Sequence, residues 1–116
     1  MIPGINLGEV VEYICKDDTE NPTVWKLGVL PSRVIGQIST LAPGAEVETA
    51  YKLLQVSIKG WSNFDVEFST KKETLFGREM DAIPLEVLER VPLKTITELS
   101  KKVLEINGLT EAETKN

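Results

Sequence analysis

The pattern of apolar and polar positions near the start of the chain predicts a β-hairpin. β-Branched and aromatic residues alternate with polar ones through EVVEYIC, which predicts a strand over residues 9–15, and TVWKLGVL predicts a second strand over residues 23–30. Between them lies KDDTENP, whose Asp and Asn side chains favour local bonds to the backbone and whose Pro22 ends the turn. The two strands are therefore expected to pair across a long polar loop.

The next segment of the chain has helical periodicity. Pro31 suits the first turn of a helix, and Ala-Pro-Gly at residues 42–44 breaks that helix. The apolar side chains that share one face of it are Val34, Ile35, Ile38 and Leu41.

A second helix has the clearest pattern in the chain. Its apolar positions step along one face with a period near 3.6, and Gly60 is expected to end it as a carboxyl-terminal cap. These apolar positions are Val47, Ala50, Tyr51, Leu54, Ile58 and Trp61.

The second half of the chain predicts two strands followed by two helices. DVEFST and ETLFGREM have the composition of strands on either side of Lys71 and Lys72, which are expected at a hairpin tip. IPLEVLERV predicts a short helix, and PLKTITELSKKVLEIN predicts a longer one that Gly108 ends. The apolar stripe of the longer helix is Ile96, Leu99, Val103 and Ile106.

The last eight residues, LTEAETKN, predict the start of one more helix. Thr110 and Glu113 have the spacing of a capping box. A helix of about one turn is unstable alone, so this segment is expected to be either a mobile tail or a segment that folds against a partner. Leu109 and Glu111 are therefore candidate partner-binding residues.

Together these elements predict an α+β protein, with a small antiparallel sheet of about four strands packed with about four helices and a mostly helical carboxyl-terminal half. We expect an amino-terminal arm over residues 1–8, a single domain over residues 9–107, and a tail or nascent helix over residues 108–116. The predicted core is Val11, Tyr13, Trp25, Leu27, Ile35, Ile38, Tyr51, Leu54, Ile58, Phe68, Leu88, Ile96, Leu99 and Val103.

Charge and cysteine content narrow the setting in which this domain works. The 116 residues have a formal net charge of −5, which disfavours binding to nucleic acid because phosphate backbones are repelled. Cys15, the single cysteine, is expected to be a small buried apolar side chain in a reducing compartment. The start of the chain lacks the features of a signal peptide, and no apolar run is long enough to span a membrane. A cytosolic protein without membrane contact is expected.

The residue types needed for catalysis and for cofactors are sparse. The chain has no histidine, which removes the commonest general base and most catalytic zinc sites, and it has no glycine-rich phosphate-binding motif. The segment could be imagined as an oxygen-ligand loop for Ca²⁺ or Mg²⁺ made by Asp17, Asp18, Glu20 and Asn21. It lacks the alternating ligands, central glycine and closing glutamate of an EF-hand, and a solvated hairpin loop is the preferred interpretation. We therefore predict no enzyme activity, no cofactor and no metal site.

The aromatic residues around KGWSNF are the remaining candidates for a binding surface. Trp25 is expected in the core, and Trp61 is expected to be buried as the last apolar step of its helix. Phe64 follows the predicted cap and is the aromatic residue most readily exposed. Trp61 and Phe64 are the candidate partner-binding residues of this corner.

Several of these segments, in order, resemble small tail-assembly or tail-chaperone-like proteins of siphophages. The resemblance covers residues 13–116 and rests on NPTVWKLGVLPS, SIKGWSNF, VEF and the long carboxyl-terminal run IPLEVLERVPLKTITELSKKVLEINGLTEAETKN. It implies a non-catalytic phage assembly factor in the host cytoplasm that binds tail proteins, such as the tail tube or tape-measure protein, before or during polymerisation.

Two other functions fit the same sequence. A structural virion component, such as a head–tail connector, completion or minor tail protein, would place the chain in the mature particle. A phage-encoded inhibitor of a host protein would use the acidic surface, since small acidic proteins can mimic nucleic acid. The oligomeric state is left open by the sequence.

Overall fold

The computed structural model describes residues 1–39 and 46–108 of the chain, and within them it confirms the predicted α+β class. The described elements, in chain order, are β1 (Val10–Tyr13), β2 (Val24–Gly28), α1 (Ser32–Ser39), α2 (Glu46–Ser57), β3 (Ile58–Ser62), β4 (Lys71–Leu75), β5 (Arg78–Ala82), α3 (Leu85–Leu88) and α4 (Leu93–Ile106). The predicted Ala-Pro-Gly break lies outside the described residues, as do Leu41 and the predicted capping box of residues 110–113.

The first sheet is antiparallel, with β2 between β1 and β3. The predicted amino-terminal hairpin is confirmed, although both strands are shorter than their sequence patterns. Tyr13 lies opposite Trp25, and Trp25 lies opposite Trp61. The register of β2 and β3 shifts between Lys26 and Leu27, so Lys59 is an additional residue in β3. The sheet thus brings the two tryptophans of the chain side by side.

The helix predicted to run through Trp61 ends earlier, at Ser57, and the prediction that Gly60 caps it is wrong. Ile58–Ser62 is strand β3, which pairs with β2, and Gly60 lies opposite Lys26 within that strand. The helical spacing of Ile58 and Trp61 is real in the sequence, but pairing with β2 and the packing of Trp61 on Trp25 favour the strand. Tertiary pairing outweighs local periodicity here.

The predicted strand at DVEFST is wrong as well, because residues 65–70 form no strand. Lys71 and Lys72 belong to β4, and ETLFGREM is divided between β4 and β5 by a tight turn. Phe76 and Gly77 occupy the two turn positions with φ of 53° and 75°. A two-residue hairpin turn of this kind needs positive φ at both positions. Within residues 1–39 and 46–108 the strands form two small sheets, and not the single sheet that the sequence predicts.

The core lies between the first sheet and the long helices α2 and α4. Helix α2 is buried on every side at its carboxyl-terminal end, where residues 53–57 are all buried. Ten of the predicted core residues are buried, whereas Val11, Tyr13, Tyr51 and Phe68 are half-buried. Helix α4 matches its predicted stripe closely and ends before Gly108, whose φ is 85°. None of the helices in the described residues has the length and apolar character needed to cross a membrane.

Candidate interaction site at the aromatic corner

Asn63 stabilises the corner that follows β3 through its backbone conformation and its hydrogen bonds. Asn63 has a φ of 60°, a left-handed conformation that Asn tolerates better than most residues. Its side-chain amide donates to the carbonyl oxygens of Asn21 and of Pro22, the latter at 3.2 Å, and the Thr23 hydroxyl donates to the Asn63 carbonyl at 2.8 Å. These bonds tie the corner to the loop between β1 and β2, so both segments form one surface.

Four aromatic rings pack at this corner in edge-to-face or tilted arrangements. The ring centroids of Trp25 and Trp61 are 5.5 Å apart, and Phe64 lies 5.2 Å from Trp25 and 5.4 Å from Trp61. The ring centroid of Phe68 lies 5.0 Å from that of Trp61. The Trp61 indole N–H donates to the Val66 carbonyl at 2.8 Å, which satisfies its polar group. We call Trp25, Trp61, Phe64 and Phe68 the aromatic cluster.

Two of the four predicted partner-binding residues, Trp61 and Phe64, lie within the described residues. Trp61 was expected to be buried on a helix, but it is half-buried on strand β3. Phe64, expected to be the most exposed aromatic residue, is half-buried against both tryptophans. Leu109 and Glu111 lie outside the described residues. The structure therefore joins two of the four candidates, together with Trp25, in one cluster.

A groove of about 340 Å³ opens next to Phe64. It lies between the β1–β2 loop, the aromatic cluster and the amino-terminal half of α4. Phe64 and Trp25 line its apolar wall, although Trp25 is only 2% exposed, and the buried Cys15 lies beside them. Charged side chains that line the same groove are Asp17, Asp18, Lys94 and Glu98.

Glu98 of α4 connects the end of β1 to the groove. Its carboxylate accepts a hydrogen bond from the Tyr13 hydroxyl at 2.6 Å and another from the Lys16 backbone N–H at 2.9 Å. The bond from Tyr13 lowers the pKa of Glu98, with a smaller contribution from the Lys16 N–H. The same bond, together with burial, raises the pKa of Tyr13 to about 12. This carboxylate is therefore ionised at neutral pH and fixed in position.

The other charged groups of the groove are ordered by the β1–β2 loop. The Lys94 ammonium lies 2.6 Å from the Asp17 carboxylate at an exposed position, and this bond lowers the pKa of Asp17 and raises that of Lys94. Asp18 accepts a hydrogen bond from the Thr23 N–H at 2.8 Å. With three carboxylates and one ammonium, the lining of the groove is net negative. Such a groove favours cationic groups.

Cys15 is not suited to act as a nucleophile. It is 9% exposed, and burial, reinforced by the negative charge of Glu98, raises the pKa of its thiol to about 11. A thiol with this pKa is protonated at neutral pH, and the protonated form reacts poorly. The prediction of a small buried side chain is confirmed for Cys15.

Sequence patterns did not identify Glu98 and Lys94 as parts of this site. Both occupy α4 positions outside its apolar stripe, where charged residues are ordinarily solvated. Their roles depend on contacts with residues about eighty positions earlier in the chain, which no local pattern shows. The sequence predicts a polar hairpin loop at Asp17 and Asp18, but its position beside Phe64 is a property of the folded chain.

Among residues 1–39 and 46–108, no three or more His, Cys, Asp or Glu side chains are grouped to hold a metal ion.

Comparisons with known proteins found no relative of this chain. No protein-family model, curated protein or solved structure matches it.

Proposed function

We propose that this chain is a non-catalytic phage assembly factor that binds tail proteins, in the manner of a tail-assembly chaperone. The proposal rests on the sequence resemblance to small siphophage tail-assembly proteins. The structural observation that supports it most is the groove beside Phe64, because its aromatic wall and net negative lining suit a segment of another protein. The absence of histidine from the chain argues for binding in preference to acid–base catalysis.

The chemistry of the groove indicates what part of a partner it would take. Phe64 offers a half-buried ring, and the Asp18 and Glu98 carboxylates lie on the same lining. An arginine or lysine side chain has an apolar stem for the ring and a cationic head for the carboxylates. We therefore propose that the groove receives a basic side chain, flanked by apolar residues, from a tail tube or tape-measure protein.

The test is co-purification of the chain with these tail proteins after co-expression. Phe64→Leu keeps an apolar side chain in the cluster but removes the aromatic ring from the groove, and we expect it to weaken partner binding by about tenfold. Phe68→Leu is the matched control, because Phe68 packs on Trp61 without lining the groove. Equal binding by the wild type and Phe64→Leu would contradict the role of the groove, and failure to capture either tail protein would contradict the function.

The protein content of mature virions distinguishes an assembly factor from a structural virion component. We expect the chain to be absent, or present far below one copy per tail ring, when purified particles are analysed by quantitative mass spectrometry. Stoichiometric presence would replace the chaperone proposal with the virion-component alternative.

A further inference from the structure

Strand β1 has an open edge. It is the outermost strand of its sheet, and the Val29 N–H donates to the Glu9 carbonyl at 3.2 Å on the side of β2. Because successive residues of an antiparallel strand direct their backbone groups to opposite sides, Val10 and Glu12 direct theirs away from β2. No strand among the described residues pairs with this edge.

Residues 1–7, which we call the arm, have the pattern of a strand without a partner. Met1, Pro3, Ile5 and Leu7 occupy alternate positions, which is the period of a strand, and Ile2 is the one apolar side chain on the opposite face. The side chains of Ile5 and Leu7 are 57% and 55% exposed, and that of Met1 is fully exposed. The fold thus leaves uncovered both an apolar strand-like segment and, directly after it, an open strand edge.

The arm does not return to the edge of its own copy. The Asn6 side chain accepts from the Gly8 N–H at 3.0 Å, and the Asn6 carbonyl accepts from the Glu9 N–H at 3.2 Å, so a turn separates the arm from β1. If the arm folded back onto β1 through a three-residue hairpin loop that begins with this turn, Glu9 at the third position of the loop would need a left-handed conformation. Glu9 does not have this conformation, because the described residues other than glycine with positive φ are Asn21, Asn63 and Phe76.

Pro3 indicates which side of the arm would face an open edge. Proline lacks the N–H that a ladder requires, so it suits the outer side of a newly added strand. In an antiparallel pairing, Ile2 and Gly4 would then bond to Glu12 and Val10, and the apolar row that includes Ile5 would lie on the face of the sheet that carries Val11 and Tyr13. Both Val11 and Tyr13 are half-buried, so this row would extend the buried layer.

We propose that two copies of this chain form a dimer by reciprocal exchange of their arms, with residues 1–7 of each copy added as a strand to the open edge of β1 in the other. Exchange of this kind is self-complementary and closes with twofold symmetry. Residues 1–8 carry no acidic side chain, whereas direct pairing of two β1 strands about Glu12 would place two carboxylates opposite each other. The dimer goes beyond the proposed function and needs no tail protein.

The first test measures the mass of the full chain in solution as a function of its concentration. Sedimentation equilibrium is expected to show a monomer–dimer equilibrium. Glu12→Pro removes the outward N–H without removing a bond to β2, and it should raise the dissociation constant at least about tenfold. Glu12→Thr is the matched control, because it removes the same charge but keeps the N–H, and it should remain dimeric. Circular dichroism verifies that both variants are folded.

The second test changes the arm. Ile5→Asp places a charge in the row that the dimer would cover and should give a monomer, whereas Leu85→Asp, at a position 41% exposed on α3, should leave the dimer unchanged. A wild-type chain that is monomeric at every concentration overturns the proposal. So does a dimer that persists in both Glu12→Pro and Ile5→Asp. Neither outcome bears on the groove at Phe64, so the two proposals fail independently.

Discussion

Among single residues, Ser57 stands out because its polar side chain is buried in the core. It ends α2, its side chain is 0% exposed, and its hydroxyl has no hydrogen-bond partner within the described residues. A buried hydroxyl without a partner costs free energy because it has lost its bonds to water. An apolar residue of similar size would fit this position better.

Ser57→Ala is therefore expected to raise the free energy of unfolding by about 1 kcal/mol. Ser100→Ala is the matched control, because the Ser100 hydroxyl is also buried but donates to the Thr97 carbonyl at 2.9 Å. We expect that control to change stability by less than about 0.5 kcal/mol. Urea unfolding measures both, and a loss of stability in Ser57→Ala would contradict the interpretation.

The bond between Tyr13 and Glu98 predicts a dependence of stability on pH at both extremes. The pKa of Tyr13 is raised from 10.0 to about 12, so its contribution is fully present below pH 10 and is lost as the pH rises towards 12. The pKa of Glu98 is lowered, so its contribution is present above the ordinary carboxyl pKa and is lost as the pH falls through the lowered value.

Tyr13→Phe tests this dependence because it removes the hydroxyl and little else. The tyrosinate absorbance of the folded wild type should include a transition near pH 12 that the variant lacks. The stability difference between the two proteins should shrink as the pH rises from 10 to 12. A Tyr13 transition at the ordinary tyrosine pKa would show that the bond to Glu98 is absent in solution.

Among the secondary-structure elements, the pairing of β4 with β5 depends on the turn formed by Phe76 and Gly77. The Phe76 carbonyl accepts a hydrogen bond from the Gln37 side chain at 3.0 Å, which links the turn to α1. The adjacent Gly77 has a φ of 75°, where a side chain is strained whatever the space around it. No sequence pattern indicates this turn, because Phe76 is an unusual residue for a left-handed position.

Two glycine substitutions are expected to have opposite effects. Gly77→Ala should lower the free energy of unfolding by about 1 kcal/mol, because alanine disfavours positive φ. Gly36→Ala should raise it by roughly 0.5–1 kcal/mol, because Gly36 lies within α1 and a methyl group there meets no atom of the described residues within 4 Å, apart from its neighbours and the backbone of its own helix. Thermal unfolding of the two variants beside the wild type measures the contrast, and effects of the same sign would contradict the assigned turn.

In the whole molecule, α4 and the residue that follows it bond to the chain near the ends of β1 and β2. Glu98 bonds to Tyr13 at the end of β1, and the Asn107 side-chain carbonyl, just after α4, accepts from the Leu30 N–H at 2.8 Å. The buried apolar side chains of α4 belong to the same core cluster as Trp25 and the buried apolar side chains of α2. Loss of α4 would therefore expose both the sheet and α2.

We expect this connected core to unfold in one cooperative transition. Tryptophan fluorescence reports on the first sheet, where Trp25 and Trp61 lie, whereas far-ultraviolet circular dichroism reports mainly on the helices. The two signals should give coincident urea transitions. Separated midpoints would show that the sheet and the helices are distinct folding units.

Periodicity within single segments of the sequence predicts the α+β class, the amino-terminal hairpin, helix α4 and most of the core. Periodicity does not predict that Ile58–Ser62 is a strand, because pairing with β2 outweighs the helical spacing that continues from α2. The candidate site was predicted in part: Trp61 and Phe64 were identified from composition and position. The groove also requires Glu98 and Lys94, and their contacts with Tyr13 and Asp17 join segments that lie far apart in the sequence and close together only in the fold.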